Sequence, residues 1–294
     1  MKRLTGRSLT LLDLPSLLHS TEIDIDGGYT IEEDMNILAT ALTDPLCTLE
    51  RLQLHYFSLK AGSDFIEAIK SEGCTLKTLH LYENRLGEEE AQQLASALKV
   101  NTSIETVILN ECQMDCAAAT ALAAGLEEND TLKTVNVWDN EIGDEGAIAL
   151  AEALKKNTAL CTLNLWGNKI GNGGAKAFAD SLRENDTLRD LIFVYNQIGD
   201  EGGDELVSAL EVNEGIRNLD LFGNPLDPAI ITDVYCRISN PERRRYEGEL
   251  NRDDAFEGLR IDKSCFQGGD TESTDSPTGV EEVSGCCWTG VVIS

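Results

Sequence analysis

One phrase of 28 residues recurs six times without a gap between Thr75 and Glu242, and it constrains the fold more than any other feature. A related copy, one residue shorter, occupies Thr48–Cys74. Each copy opens with L-x-x-L-x-L-x-x-N-x-L/I-G or a close variant, as in Leu76–Gly87 and Leu160–Gly171. Self-similarity at a fixed period of this length is typical of stacked structural repeats. We therefore predict one elongated domain whose core grows along an axis.

The L-x-L segment of each copy predicts a short strand. Leu79 and Leu81 fall on one face of such a strand, because side chains alternate along it. Thr78, His80 and Tyr82 fall on the other face. A single strand of this kind cannot bury its apolar face, so the copies are expected to stack into a parallel sheet.

A polar residue follows each strand where the chain turns inward. The column consists of Asn84, Cys112, Asn140, Asn168, Asn196 and Asn224. A buried amide there can satisfy backbone groups of the turn that neither sheet nor helix reaches. We predict that this column is a structural ladder, with one cysteine in place of asparagine.

The second half of each copy has helical periodicity, with Ala91 and Leu94 on the apolar face in one example. Asp144, Asn172 and Asp200 directly follow the turn glycine in their copies. Asp and Asn are favoured N-caps, so we expect each to cap its own helix. Every repeat is thus predicted to run strand, turn, helix, loop.

These repeats resemble the ribonuclease-inhibitor-like class of leucine-rich repeats, shared by Ran GTPase-activating proteins and the repeat domains of NOD-like receptors. The resemblance is carried by the helix phrase G-A-x-x-L-A-x-A-L, as in Gly146–Leu154, and by the asparagines that follow it, Asn101, Asn129, Asn157, Asn185 and Asn213. It covers at least Thr48–Glu242. It implies an α/β fold, a curved leucine-rich-repeat solenoid with parallel strands on the concave face and helices on the convex face. It does not specify a function.

The ends of the array depart from the repeat. Residues 21–42 look like a degenerate first copy, which gives about eight repeats over residues 21–242. Terminal repeats are usually atypical because one side faces water, so residues 1–20 are expected to form an N-terminal cap and residues 243–267 a C-terminal cap helix. Residues 268–294 have no periodicity until the last nine and predict a disordered tail.

The charge of the chain restricts its partners. Lys and Arg total 24 against 52 Asp and Glu, which gives a formal net charge of -28. Such a chain is a poor match for nucleic acid or an anionic membrane, and a basic or neutral protein is the expected partner. No run approaches the ~20 apolar residues of a transmembrane helix.

Nine cysteines, an odd number, do not form the framework of a small secreted protein. We expect reduced thiols in a cytoplasmic protein. A nuclear location stays open, because Arg243, Arg244 and Arg245 form either an import or docking element or a solvated part of the cap. Cys286 and Cys287 precede an apolar C-terminus, which leaves open a lipidated pair or a short docking segment.

The solvent side of the strands is the candidate binding face. The residue after the second Leu reads, copy by copy, His55, Tyr82, Asn110, Trp138, Trp166, Val194 and Phe222. The fold requires no aromatic side chain there, and exposed Trp and Tyr commonly mark protein-binding sites. The alternative is simple stacking on the sheet, since aromatic residues favour strands.

We predict a non-enzymatic module that is monomeric alone and binds a protein through this concave face. The candidate binding residues are His55, His80, Tyr82, Glu83, Glu111, Trp138, Asp139, Trp166, Tyr195 and Phe222. Trp138 and Trp166 are the expected anchors. Ribonuclease inhibitor presents tryptophans and acidic residues along its inner face. The two tryptophans here, with the acidic residues beside them, look similar.

Catalytic motifs are absent from the sequence: there is no G-x-x-x-x-G-K-[ST], no H-E-x-x-H and no G-x-S-x-G. His55 and His80 should lie on adjacent strands and could share a metal with Glu83. Two histidines without a third ligand more often face solvent, so we predict no metal and no cofactor.

Two other functions stay open at this point. The first is a GTPase-activating protein for a Ran-like small GTPase, because the Ran GTPase activator is built from a similar repeat. Such activators supply or organise groups around another protein's nucleotide, and Arg85 is a cationic residue just past an inner strand, in a variable position of the turn. The second is a regulatory fragment related to the repeat domains of NOD-like receptors.

Overall fold

The computed structural model describes residues 2–5, 9–10, 12–26, 32–56 and 63–238, in which strands and helices alternate. The strands are β1 (Lys2–Thr5), β2 (Glu22–Asp26), β3 (Arg51–His55), β4 (Thr78–Tyr82), β5 (Thr106–Ile108), β6 (Thr134–Asn136), β7 (Thr162–Asn164), β8 (Asp190–Ile192) and β9 (Asn218–Asp220). The helices are α1 (Leu14–Leu18), α2 (Glu32–Thr43), α3 (Ser63–Lys70), α4 (Glu88–Val100), α5 (Cys116–Glu128), α6 (Gly143–Lys156), α7 (Asn172–Leu182), α8 (Asp200–Ala209) and α9 (Pro228–Ile238).

These strands form one parallel sheet in chain order, from β1 to β9. From β4 onward, each residue is paired with the residue one period later, as Leu79 is with Val107. Leucine and valine at this position are buried in every strand from β3 to β9. The predicted columns of side chains therefore exist, and the core lies between the sheet and the helices.

The stack bends toward its strands. Packed helices need about 8–10 Å between axes, whereas paired strands need only about 4.8 Å. Because each repeat contributes one strand and one helix, the helical side is the longer one. The fold is the expected curved α/β leucine-rich-repeat solenoid, with strands on the concave face and helices on the convex face.

The sheet begins earlier than the sequence pattern indicated. Strand β1 lies within residues 1–20, and it pairs with β2 in the register Lys2 to Ile23. The predicted C-terminal cap at 243–267, the tail at 268–294, the Arg243–Arg245 cluster and the Cys286–Cys287 pair lie outside the described residues. No helix among the described ones is long and apolar enough to cross a membrane.

The predicted column after the strands is buried, except for the half-buried Asn224, and it hydrogen-bonds across the repeat boundary. The side-chain Nδ2 of Asn140 donates to the carbonyl of Leu109 in the preceding repeat at 2.9 Å. Its Oδ1 accepts from the backbone N–H groups of Cys112 and Met114, both at 3.0 Å. Asn84, Asn168, Asn196 and Asn224 make the corresponding donation to the repeat before them.

Cysteine performs the same task at one position in this column. The Cys112 thiol lies 2.7 Å from the carbonyl of Leu81, to which it donates. Burial raises the pKa of the Cys112 thiol to about 12, so the group stays protonated and remains a donor. The substitution therefore keeps the direction of the hydrogen bond.

A second asparagine column, at the ends of the helices, also joins neighbouring repeats. Asn157 is 2% exposed, and its Nδ2 donates to the carbonyls of Leu126 at 2.7 Å and Asn129 at 2.8 Å. Its Oδ1 accepts from the N–H groups of Ala159 at 2.9 Å and Leu160 at 2.7 Å. One amide thus satisfies carbonyls of the preceding repeat and N–H groups of the loop into the next strand, β7.

The expected N-caps lie one repeat away from where they were predicted. Asp144 Oδ1 accepts from the N–H groups of Gly171 at 2.6 Å and Gly174 at 3.0 Å, at the start of α7. Asn172 likewise accepts from Gly199 and from the start of α8. The expectation that each caps its own helix is wrong, because the stacked geometry brings the side chain to the next helix.

The Asn157 amide should contribute strongly to stability. Replacing Asn157 with Ala leaves two carbonyls and two N–H groups without their partner, and a buried unsatisfied group costs about 1–3 kcal/mol. We expect the free energy of unfolding in urea to fall by at least about 2 kcal/mol. The exposed Glu152→Ala variant in the same repeat is the control, and an equal loss in both would contradict the assignment.

The Asp144 carboxylate should stabilise α7 across the repeat boundary. The Asp144→Ala variant should lose about 1 kcal/mol of stability, the usual value of an N-cap. Hydrogen exchange should speed up at the first N–H groups of α7, not at those of α6. Exchange that increases in α6 alone would show that the carboxylate caps its own helix.

Candidate functional site

Four aromatic side chains follow one another along the concave face, and we call them the aromatic ladder: Trp138, Trp166, Tyr195 and Phe222. The indoles of Trp138 and Trp166 are stacked, with centroids 4.6 Å apart and planes at 9°. Trp166 meets Tyr195 at 5.8 Å with the planes tilted by 33°, and Tyr195 meets Phe222 edge-on at 5.7 Å. The ladder spans the ends of β6 to β9.

Backbone hydrogen bonds hold the ladder residues in register beyond the ends of the strands. The N–H of Asp139 donates to the carbonyl of Trp166 at 2.8 Å, and that of Tyr195 to the carbonyl of Phe222 at 2.8 Å. The repeat spacing is thereby imposed on the rings. A strand spacing of about 4.8 Å is close to the stacking distance of aromatic rings, so adjacent indoles stack without distortion.

The next position in each repeat has a left-handed backbone. It is occupied by Tyr56, Glu83, Glu111, Asp139, Gly167, Tyr195 and Gly223, with φ between 52° and 76°. At Gly223 a β-carbon would lie 2.5 Å from Cδ1 of Tyr195. The absence of a side chain at Gly223 therefore leaves room for the Tyr195 ring. This explains how Tyr195, one position after the column that holds Trp138 and Trp166, still joins the ladder.

The ladder lies on the solvent side of the sheet. Tyr195 is 46% and Phe222 59% exposed, and both indoles are half-buried. Neither indole is in the interior, which is filled by the leucines of the strands and helices. An exposed aromatic surface of this length on a face that needs no apolar residue is a candidate contact surface.

Three asparagines beside the ladder were not singled out from the sequence. Asn110, Asn136 and Asn164 are only 5%, 6% and 2% exposed, although they too stand on the concave face. The N–H of Trp138 donates to Oδ1 of Asn136 at 3.1 Å and of Asn110 at 3.2 Å. The sequence signal was the phrase N-x-W, which occurs in two consecutive repeats.

Acidic residues lie at the edge of the ladder. The hydroxyl of Tyr82 donates to Oε1 of Glu111 at 2.6 Å, and burial together with Glu111 raises the pKa of Tyr82 well above its usual range. Glu83, Glu111 and Asp139 form no ion pair in the described parts of the chain. Glu141, two residues after Asp139 in the chain, forms an ion pair with Lys169 at 2.7 Å. No described Lys or Arg side chain is therefore paired with Glu83, Glu111 or Asp139.

Histidines occupy the other end of the face. Nε2 of His55 lies 3.2 Å from Oδ1 of Asp24, a buried carboxylate that the sequence did not single out. His55 also meets Tyr82 edge-on at 5.5 Å. Burial lowers the pKa of His80 to about 4, with further lowering by Arg51 and His55.

The alternative of a metal shared by His55, His80 and Glu83 has no geometric counterpart in the described structure. No group of three or more His, Cys, Asp or Glu side chains among the described residues is placed to hold a metal ion. The nearest partner of His55 is Asp24. Arg85, the residue considered for action on a GTPase, is exposed on the turn after β4.

The structure thus divides the ten predicted contact residues into two groups on one face. The aromatic ladder lies toward β9. His55, His80, Tyr82, Glu83 and Glu111 lie toward β3, and Asp139 lies between the groups, next to Trp138. The face offers an apolar aromatic surface bordered by negative charge, which suits recognition of another macromolecule.

Comparison with known proteins agrees with the repeat architecture. A sequence profile described as leucine-rich repeat matches residues 128–151, 156–179 and 184–207. The chain therefore contains leucine-rich repeats. It is also similar to NACHT, LRR and PYD domains-containing protein 5 of Bos taurus, with 31% identity over 100 residues. That match covers 33% of this chain and only 9% of the relative.

Several solved structures share parts of the fold at low identity. The actin-binding site 2 of leiomodin-1 covers 51% of this chain and 87% of its own, with 19% identity and a TM-score of 0.43. The tropomodulin C-terminal domain of Caenorhabditis elegans covers 50% and 90%, with 19% identity and a TM-score of 0.42. TLR13 in complex with ssRNA13 covers 88% and 38%, with 15% identity and a TM-score of 0.38.

His80 should make stability fall on acidification. An unfolded histidine titrates near 6.5, whereas folded His80 titrates near 4, so between these values the unfolded state binds more protons. The free energy of unfolding should therefore decrease as pH falls from about 6.5 to about 4, by up to about 3 kcal/mol from this residue.

Urea unfolding at pH 7, 5.5 and 4.5 would measure this effect. The His80→Gln variant lacks the titrating group, so its stability should depend less on pH in that window. The His19→Gln variant, at an exposed site, is the control for loss of a histidine. Parallel pH profiles for wild type and His80→Gln would contradict the lowered pKa.

Proposed function

We propose that this chain is a non-enzymatic protein-interaction module that binds a protein partner through the concave strand face. The observation that carries the proposal is the aromatic ladder, with Trp138 and Trp166 as its anchors. Leucine-rich repeats are present, and protein recognition suits them because stacked repeats create extended surfaces.

The energetics favour the ladder as the centre of the contact. Trp and Tyr supply much of the energy of protein interfaces, since each buries a large area at little cost in side-chain entropy. The indoles already stack in the free protein at 4.6 Å. Little ordering is then required on binding, which raises affinity for a given contact area.

The charge of the surroundings favours a partner with a basic surface. Glu83, Glu111 and Asp139 lie at the rim without a described ion pair, and the chain carries a net charge of -28. Electrostatic complementarity of this kind mainly increases the association rate and the specificity. The same negative charge opposes the binding of nucleic acid, which is therefore not a proposed partner. No cofactor is proposed.

The setting proposed for this activity is the cytoplasm, with the chain monomeric until it meets its partner. The six described cysteines, from Cys47 to Cys236, are all free, as suits a reducing compartment. Three of the six are buried. Fractionation of cells together with sedimentation of the purified chain would test both statements.

Truncating the anchors should weaken binding without loss of the fold. Trp138→Ala and Trp166→Ala should each weaken binding by about 2 kcal/mol, roughly 30-fold, if they are hot spots. Affinity capture from native lysate with wild type and the double variant identifies proteins that depend on the indoles. Titration calorimetry with the purified partner then measures each loss.

The control for this experiment is Ile148→Ala, which removes an exposed apolar side chain from helix α6 on the convex side. It should leave the affinity unchanged. A partner whose affinity responds to Ile148→Ala but not to the indole variants would refute the concave face as the binding surface. Stimulated GTP hydrolysis by an added Ran-like GTPase would refute the non-enzymatic assignment.

A further inference from the structure

Two adjacent repeats place the same amide beside the same ring on the concave face. Asn136 is the last residue of β6 and Trp138 follows it two positions later; Asn164 and Trp166 have the same relation to β7. Asn136 is paired with Asn164 in the register of the two strands. Residues two apart in an extended chain point to the same side. The amides and indoles therefore share one surface, with the amides closer to the middle of the strands.

Both amides have the same orientation. Oδ1 of Asn136 accepts from the N–H of Trp138 at 3.1 Å, and Oδ1 of Asn164 accepts from the N–H of Trp166 at 3.0 Å. The oxygen of each amide is therefore used by its own backbone. What remains is the Nδ2 group, which can only donate, and the two Nδ2 groups are one strand spacing apart, about 4.8 Å.

The donor of Asn164 is not used by the fold. Its Nδ2 is enclosed and has no hydrogen-bond partner in the described structure. By contrast, the Nδ2 groups of Asn157 and Asn140 each donate to two or more carbonyls. Isoleucines at 108 and 192 flank the amide pair in the same row of the sheet, so the pair lies in an apolar strip. An enclosed donor without an acceptor is unfavourable. A carbonyl reaches it only when the side chains over it shift, and the new hydrogen bond offsets the cost of that shift.

One oxygen atom can serve both donors. Donors about 4.8 Å apart can each lie about 2.9 Å from a shared acceptor, and a carbonyl oxygen has two lone pairs. A carboxylate would also fit by shape. It would have to approach Glu111 and Asp139 in a chain of net charge -28, so the neutral carbonyl is the acceptor that the charges favour.

We propose that Asn136 and Asn164 form a donor pair for a main-chain carbonyl of an extended segment in the partner protein. The side chains of that segment pack along Trp138 and Trp166. Main-chain carbonyls are accessible in an extended segment, whereas those in helices and sheets are already bonded. This inference rests on the proposed function and specifies the partner's contact as an extended peptide.

Peptides provide the probe. A phage-displayed library of random twelve-residue peptides is selected on the full-length chain, and only peptides that fail to bind the Trp138→Ala/Trp166→Ala variant are kept. Their dissociation constants are then measured by calorimetry. Asn136→Asp and Asn164→Asp keep the oxygen that accepts from the tryptophan N–H and remove the donor.

Each Asn→Asp change should weaken binding about tenfold, the usual effect of losing one buried hydrogen bond. Asn110→Asp is the matched control, because it adds the same charge one strand away from Asn136. Its Oδ1 likewise accepts from the N–H of Trp138. It should change the affinity less than about threefold. An equal loss in all three variants would mean a charge effect and would overturn the donor pair.

A second measurement changes the probe peptide and compares its binding to wild type and to Asn164→Asp. Replacing one peptide bond of the probe at a time by an ester weakens that carbonyl as an acceptor. One ester position should weaken binding to wild type and have a smaller effect on Asn164→Asp, which gives a coupling energy for that pair. Uniform ester effects on both proteins would overturn the proposal.

The remaining outcomes separate this inference from the proposed function. Peptides that need the indoles but are indifferent to Asn136→Asp, Asn164→Asp and every ester would overturn the carbonyl contact and leave the protein-binding face intact. A library without any indole-dependent binder would overturn the extended segment and leave a folded partner. A captured partner indifferent to the indoles would overturn the proposed function itself.

Discussion

Hydrogen bonds between repeats are the constraint on which the rest of this structure depends. A strand and a helix repeated every 28 residues leave backbone groups in the turns and loops that neither element satisfies. Side chains of the adjacent repeat hydrogen-bond to these groups, as those of Asn140, Asn157 and Asp144 do. A single copy is therefore incomplete in its hydrogen bonding as well as in its core, and the boundary between copies is the unit of stability.

The same constraint shapes the concave face. Because the boundary fixes the spacing of the strands, side chains at equivalent positions have no freedom to separate. Large planar residues in consecutive copies must then stack, as Trp138 and Trp166 do. The stack stops at Asn110, whose side chain is small and buried. The ladder is thus a consequence of period and residue type together, with no dedicated structural element behind it.

Period and residue type are readable in the sequence, and so the strands, the columns and the exposed aromatic positions could be predicted from it. Side-chain hydrogen bonds across a repeat boundary could not, because the period shows which copies are neighbours and not which backbone group a side chain reaches. Asp144 therefore had its own helix as its expected partner, and Asp24 was not associated with His55. The burial of Asn164 was likewise invisible, since it depends on neighbouring strands. The lowered pKa of His80 has the same origin, because burial is its main cause.

Comparison of the copies with one another separates what the fold needs from what it tolerates. The position after the strand is asparagine in every regular copy except at Cys112, where a donor to the preceding repeat is kept. The position two residues earlier changes freely from Tyr82 through Asn110 to Phe222, with no effect on register. Stability therefore sets the first column and leaves the second unconstrained. The solenoid does not require two indoles at neighbouring places in an unconstrained column, each with an amide two residues before it, and this is why we propose contact with another molecule as their role.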